Sequence, residues 1–192
     1  MQSDELLLRR AQKGDTEAFE ELMAAQESRM YAIALRMMGN REDAQDCAQD
    51  AMVRIYRAMG SFKGQSSLAT WIYRITMNTC LDELRRRKVR KVTSLDTLVE
   101  AGWSPTDKGE TPEEHGLRSE KQAVLNEAIQ SLPEDMRAAI VLRDIKGYTY
   151  DEIADILDAN VGTIKSRISR GRERLREILS KHSELFGRSN VK

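Results

Sequence analysis

The sequence predicts an all-α protein made of two small helical domains joined by a flexible linker. Met, Ala, Leu and Ile fill the apolar positions, while aromatics make up only 5% of the 192 residues. Such residues favour helices. The apolar residues recur at three- and four-residue steps through most of the chain. Proline is scarce, with three in all, and two of them fall in one polar stretch between Lys91 and His115 that breaks the periodicity.

Each element has its own signal. A first helix runs from about Asp4 to Lys13 and stops at Gly14. Asp15 or Thr16 caps the second, whose inner stripe is Phe19, Leu22, Met23, Met30, Ile33 and Met37, and Gly39 ends it. Asn40 opens a third helix with Ala44, Cys47, Ala48, Ala51, Ile55 and Met59 facing inward, closed by Gly60. "SFKGQSSL" reads as a loop, and Leu68 to about Lys88 as a fourth helix carrying Trp71, Ile72, Ile75, Leu81 and Leu84. Residues 1–91 thus form one domain. Residues 92–116, with "AGWSPTDKGETPEEH", have the composition of a linker, and Trp103 within it reads as a local packing residue.

Residues 117–192 form the second domain. Leu117 to Gln130 is a helix, and Ser131, Pro133 and Glu134 offer a cap, a first-turn proline and a capping-box acid for the next, which ends at Gly147. Thr149 and Glu152 form a further capping box, with Tyr148 placed to staple onto Ile153. The short helix Tyr150 to Leu157 and the turn "DAN" lead into "NVGTIKSRISRGRERL".

Net charge is zero, but the charges are sorted. Arg85 to Lys91 is one basic block, and Thr163 to Lys181 another, with seven Lys/Arg against Glu173 and Glu177. Acids gather at Glu42–Asp50 and Asp107–Glu114. Such sorting suits partners of both signs. Cys47 and Cys80 have no metal or redox spacing and read as buried small apolar residues in a reducing compartment. His115 and His182 sit in no metal spacing, so neither a metal nor a cofactor is expected. There is no signal-peptide core, and no apolar run nears the ~20 residues that span a bilayer. A cytoplasmic protein with no direct membrane insertion is expected.

On a helical wheel, Val161, Ile164, Ile168, Gly171, Leu175, Ile178 and Leu179 share one face. Ser166, Ser169, Arg170 and Glu173 lie opposite, with Lys165 and Arg172 on one flank and Arg167 and Arg174 on the other. A capped short helix, a tight turn and a helix of this kind make a helix-turn-helix whose second helix enters the major groove. The serines allow close approach, and Lys or Arg reaches guanine or phosphate. On the third helix Asp43, Asp46, Gln49, Asp50 and Val53 share an outward face. Asp43 suits the helix N-terminus; the others lie deeper and suit a partner. After Gly60, Phe62, Trp71 and Tyr73 alternate with Lys63, Arg74 and Arg85–Lys88. Aromatics beside cations suit exposed bases and phosphates, while one of Trp71 and Tyr73 is expected to serve the core instead.

"QKGDTEAFEELM", "REDAQDCAQDAMVRIYRAM" and "FKGQSSLATWIYRITMNTCLDELRRR" resemble region 2 of the extracytoplasmic-function class of bacterial sigma factors. "LPEDMRAAIVLRDIKGYTYDEIADILDANVGTIKSRISRGRERLREIL" resembles region 4. The resemblance spans nearly the whole chain, in the family's order. It implies a transcription initiation factor with no enzymatic activity, which binds core RNA polymerase, recognises two promoter elements and helps melt the DNA. By the same resemblance, Asp46, Gln49, Asp50 and Val53 grip the β′ clamp helices, and the β flap is a further contact. Phe62, Lys63, Gly64, Gln65 and Ser66, with Asn78 and the neighbouring Trp71, form a pocket for a flipped base of the minus-ten element. Arg74, Arg85 and Arg86 hold phosphates. Thr163, Lys165, Ser166, Arg167, Ser169, Arg170 and Arg174 meet the minus-thirty-five element. An anti-sigma factor is a further implied partner. Leu68 stands where the family often has an aromatic, and residues 182–192 extend beyond the match. The alternative is an autonomous helix-turn-helix regulator with a helical sensor domain, which would have no need of polymerase.

Overall fold

The computed structural model describes residues 2–93 and 112–186, and among them every regular element is helical. The elements are α1 (Gln2–Gln12), α2 (Thr16–Met38), α3 (Arg41–Ala58), α4 (Leu68–Thr93), α5 (Pro112–Gln130), α6 (Glu134–Ile140), α7 (Tyr150–Leu157), α8 (Val161–Ser180) and α9 (Ser183–Phe186). Trp103 lies outside the described residues, as does most of the expected linker. Only the tip of α4 and the start of α5 reach into it.

The caps follow the sequence in most places. Asp15 accepts from the Ala18 N–H, Asn40 from Asp43 and Thr149 from Glu152, and Asn160, not singled out as a cap in the sequence, accepts from Thr163. Each satisfies a donor that the first helical turn leaves unpaired. Gly39 ends α2 in the left-handed conformation at φ 86°, a position that strains a side chain. Ser67, just before α4, accepts from the Thr70 N–H at 3.0 Å.

The start of α6 departs from expectation. Pro133 itself takes the cap position and makes no side-chain bond there, while Ser131 donates its hydroxyl back to the Ala128 carbonyl. Proline reaches this place because a cap residue needs extended backbone and no N–H. Nor does α6 run uniformly to Gly147. After Ile140 it widens into a π-turn over Val141–Ile145, with the Lys146 N–H reaching the Val141 carbonyl at 3.0 Å.

The first domain packs α2, α3 and α4 round Met30, Ile33, Met37, Ile55, Ile72 and Met77, all fully buried. Trp71 and Tyr73 both belong to this core, whereas the sequence suggested that one of them did. They sit two residues apart on a helix that has neighbours on two sides. Trp71 meets Phe62 and Tyr73 meets Tyr148. Cys47 and Cys80 are buried, free thiols with their sulfurs 3.0 Å apart, and this contact, with burial, raises the Cys80 pKa.

The second domain packs α6, α7 and α8 round Ile140, Leu142, Ile153, Ile156, Ile164 and Ile168. The two domains touch: α7 lies against α4, and α5 against α2. Arg137, 7% exposed, ties this junction together. Its guanidinium donates to the carbonyls of Met37 (2.5 Å), Leu132 (3.1 Å) and Gln130, and to Gln130 Oε1 (2.7 Å). Gln130 in turn donates to the Arg36 carbonyl at 2.7 Å. Two residues of the second domain thereby satisfy orphan carbonyls at the end of α2.

Gly171 sets how closely α8 can approach α6. A Cβ there would stand 2.9 Å from Ile140 Cγ1. Gly171→Ala should therefore destabilise the second domain by about 1–3 kcal/mol through overpacking. Thermal unfolding followed by circular dichroism reads this, and an unchanged midpoint would show that the contact can relax at no cost.

Candidate polymerase and promoter-DNA surfaces

Three surfaces collect the candidate residues. The first is the outer face of α3. Its inner stripe of Ala44, Cys47, Ala51 and Ile55 is buried. Asp46, Gln49, Asp50 and Val53 are consequently turned outward and exposed. Val53 is 45% exposed and Tyr56 43%, and the two stand together on this face. They line a cleft of about 450 Å3 between α2 and α3 with Phe19, Met23 and Met52.

Asp43 does not share this surface, contrary to the sequence reading. It accepts two hydrogen bonds from Arg87 of α4, one of them 2.6 Å from Nη2, and a third from Asn40. The Arg87 hydrogen bonds hold the Asp43 carboxyl below the usual carboxylate range; burial opposes them by less, and the Asn40 hydrogen bond adds a smaller pull downward. The same contact pushes Arg87 up. Arg87 also pairs with Glu83 at 3.0 Å, so this member of the basic block braces α4 against α3 rather than facing phosphate.

The second surface lies at the start of α4. Phe62, Lys63, Gln65, Ser66, Trp71 and Arg74 line one cleft of about 380 Å3. The Phe62 and Trp71 rings are 5.2 Å apart and tilted at 51°. Gln12 fixes the loop by donating to the Phe62 carbonyl at 2.8 Å, and Gly64 turns it at φ 71°. Trp71 is only 8% exposed. Lys63, Gly64, Gln65 and Arg74 are exposed. Asn78 is exposed too, but opens onto a neighbouring cleft of about 400 Å3 with Arg85, so the structure does not bring it beside Phe62. Arg86 lies 3.6 Å from Glu83.

The third surface is α8, where the helical wheel is realised. Ile164, Ile168 and Gly171 are buried, while Lys165, Ser169, Arg170 and Arg174 are exposed and Ser166 half-buried. Thr163 is occupied at the cap, donating its N–H (2.7 Å) and hydroxyl (3.0 Å) to Asn160 Oδ1. Lys165 Nζ sits 5.8 Å from the Tyr150 ring centre. Arg167 and Arg172 are engaged by acids of their own domain, Asp135 at 2.9 Å and Asp144 at 2.5 Å. Among the described residues no acid holds Arg170 or Arg174, so both guanidinium groups remain available.

Sequence reasoning missed Asp135, Arg137 and Asp155. Asp135 reaches Arg167 32 positions away and Arg137 reaches Met37 100 positions away, while Asp155 lines a cleft of the first domain, and none of these has a periodic signal. Arg137 alone was findable in principle, as a cation in an otherwise apolar run, "MRAAIVL".

Two helical domains in this order, the second a helix-turn-helix, define a class of transcription protein. The family "Sigma-70 region 2" matches residues 14–90, and "Sigma-70, region 4" matches residues 122–175. The RNA polymerase sigma-H factor of Pseudomonas aeruginosa is 37% identical over 182 residues, covering 93% of this chain and 94% of that one. The ECF RNA polymerase sigma-E factor of Escherichia coli K12 is 37% identical over 175 residues, covering 89% and 91%. The sigma factor RpoE of Bartonella quintana, solved in complex with the anti-sigma factor NepR, superposes with a TM-score of 0.68 at 27% identity, covering 84% of this chain and 96% of that one. CnrH, solved with the cytosolic domain of CnrY, shares the fold at a TM-score of 0.64 and 24% identity, covering 93% and 98%. The chain belongs to the extracytoplasmic-function sigma factors of the sigma-70 family, which are transcription initiation factors. No helix among the described residues is long and apolar enough to cross a membrane.

The Asp43–Arg87 contact makes a pH prediction. A carboxylate whose folded pKa lies below its unfolded value of about 3.9 adds stability above that value. The gain is lost as pH falls through the folded pKa. Wild type should exceed Asp43→Asn by about 1–2 kcal/mol at pH 6. The gap should close below pH ~4. Denaturant titrations across this range check it, and a gap that persists at pH 2 would assign the contribution to packing.

Proposed function

We propose that residues 1–91 act as sigma region 2 and residues 117–192 as region 4, with 92–116 as the linker, and that the three surfaces divide the work of initiation. The outer face of α3, with Asp46, Gln49, Asp50 and Val53, binds the β′ clamp helices of core RNA polymerase. The apolar cleft beside it suits a helix that brings both apolar and basic side chains. The cleft of Phe62 to Ser66 with Trp71 receives an unstacked base of the minus-ten element, and Lys63, Arg74, Arg85 and Arg86 hold phosphates. Asn78 contributes once the DNA occupies the adjoining cleft. The α8 face reads the minus-thirty-five element, and the β flap contacts region 4. The chain itself catalyses nothing, works in the cytoplasm without inserting into a membrane, and is controlled by an anti-sigma factor. The RpoE structure, of a sigma factor with an anti-sigma factor, supports that last reading by analogy.

The observation that carries the proposal is the state of α8. Its apolar stripe is consumed by the domain, and its opposite face presents two unengaged arginines beside small serines. Arg170 lies mid-face. Arg170→Ala should cost about 1–3 kcal/mol on the cognate upstream element and relax preference at one base pair. Arg174 lies on the flank, so Arg174→Ala should weaken binding evenly across sequences and lower the salt slope by about one. Competition binding on a library of upstream sequences separates the two. Even weakening by both would leave the helix as a source of charge alone.

The α3 face makes an independent prediction. Asp50→Lys should weaken binding to core polymerase at least tenfold, with helicity by circular dichroism unchanged. Affinity equal to wild type would remove this face from the interface.

A further inference from the structure

Three acids of the second domain stand against the DNA face proposed for the first. Asp155 of α7 lines the cleft of Phe62, Lys63, Trp71 and Arg74. Asp158 and Asp135 line the cleft of Asn78 and Arg85. Asp135 does more than line it. One carboxylate oxygen lies 3.6 Å from Arg85 of α4, and the other accepts from Arg167 of α8 at 2.9 Å. A single side chain therefore holds one candidate DNA-contacting arginine from each domain.

This arrangement is incompatible with binding both promoter elements at once. Their names place them about 25 base pairs apart, on the order of 85 Å of duplex at roughly 3.4 Å per step. Here Arg85 and Arg167 share one carboxylate. α7 also packs against α4, and its Asp155 and Leu157 line the two clefts.

We infer that Asp135 is a clasp of the free chain: it occupies with its carboxylate the place of promoter phosphates on both domains and holds the two DNA faces closed on each other. Asp155 and Asp158 extend the same mimicry along α4. Asp135, Arg85 and Arg167 are 45%, 62% and 26% exposed, so the clasp is weak enough for DNA to displace. The buried Arg137 contacts position it without blocking any arginine named above. The inference rests on the DNA-binding reading of both surfaces.

The test uses the full chain without polymerase. Amide hydrogen exchange over residues 70–82 and 150–158 reads domain closure with no DNA present. Fluorescence anisotropy with a labelled 25-base-pair duplex of mixed sequence reads availability of the arginines. Asp135→Asn should raise exchange in both segments and tighten duplex binding about two- to fivefold, the scale of one exposed ion pair. The same substitution in an Arg85→Gln, Arg167→Gln background should give no gain, because the coupling is gone. An equal gain in both backgrounds would reduce the effect to net charge and overturn the inference. Unchanged exchange overturns it as well, as does raised exchange without tighter binding. Raised exchange in a chain that, mutated or not, never binds the duplex would instead place the failure in the DNA-binding reading.

Discussion

Arg137 carries a charge into a place nearly closed to water, and much of the molecule is arranged to satisfy it. Burial lowers its pKa, although a guanidinium stays protonated throughout the usable range. Leaving such a cation unpaired would cost several kcal/mol. Four acceptors prevent this, three in the second domain's own turn and one, the Met37 carbonyl, at the end of α2. That end is the negative pole of a long helix, which suits a cation. Only its Nε lacks a partner. The same contacts fix the start of α6, α6 sets the seat of α8 through Ile140 and Gly171, and the joined turn brings α7 onto α4.

The arginines of this chain thus fall into two groups with opposite tasks. Arg137 and Arg87, and more loosely Arg172 and Arg143, bind acids or carbonyls within the fold. Arg74, Arg170 and Arg174 stay exposed. Composition cannot separate the groups, since a basic block of four consecutive residues, Arg85 to Lys88, holds both kinds. Rotation by about 100° per residue separates them, because it turns Arg87 toward Asp43 of α3 while Arg86 stays outside.

What the sequence revealed and what it hid follow the same physics. The stripe of α8 was legible because burial on a helix has a period, and the starts at Asp15, Asn40 and Thr149 and the stop at Gly39 were legible because caps use few residue types. The α3 face was legible for four residues and misread for Asp43, whose partner lies 44 positions away. Trp71 and Tyr73 were half legible, since an aromatic on a helix with neighbours on two sides has the same spacing whether it serves core or ligand. Asp135 and Asp155 were illegible, because contacts between domains leave no periodic trace, whereas Arg137 stood out as a cation in an apolar run without showing its partners. Pro133 took a cap position that Ser131 was expected to fill, a choice made by backbone geometry rather than by side-chain chemistry.

The central claim is that this chain confers promoter recognition on core polymerase, and run-off transcription on sheared genomic DNA tests it most directly. Core enzyme with the chain should yield discrete transcripts that core alone does not, with two shared sequence elements upstream of their starts. No added transcripts, together with sequence-specific DNA binding by the chain alone, would contradict the account and point to an autonomous helix-turn-helix regulator.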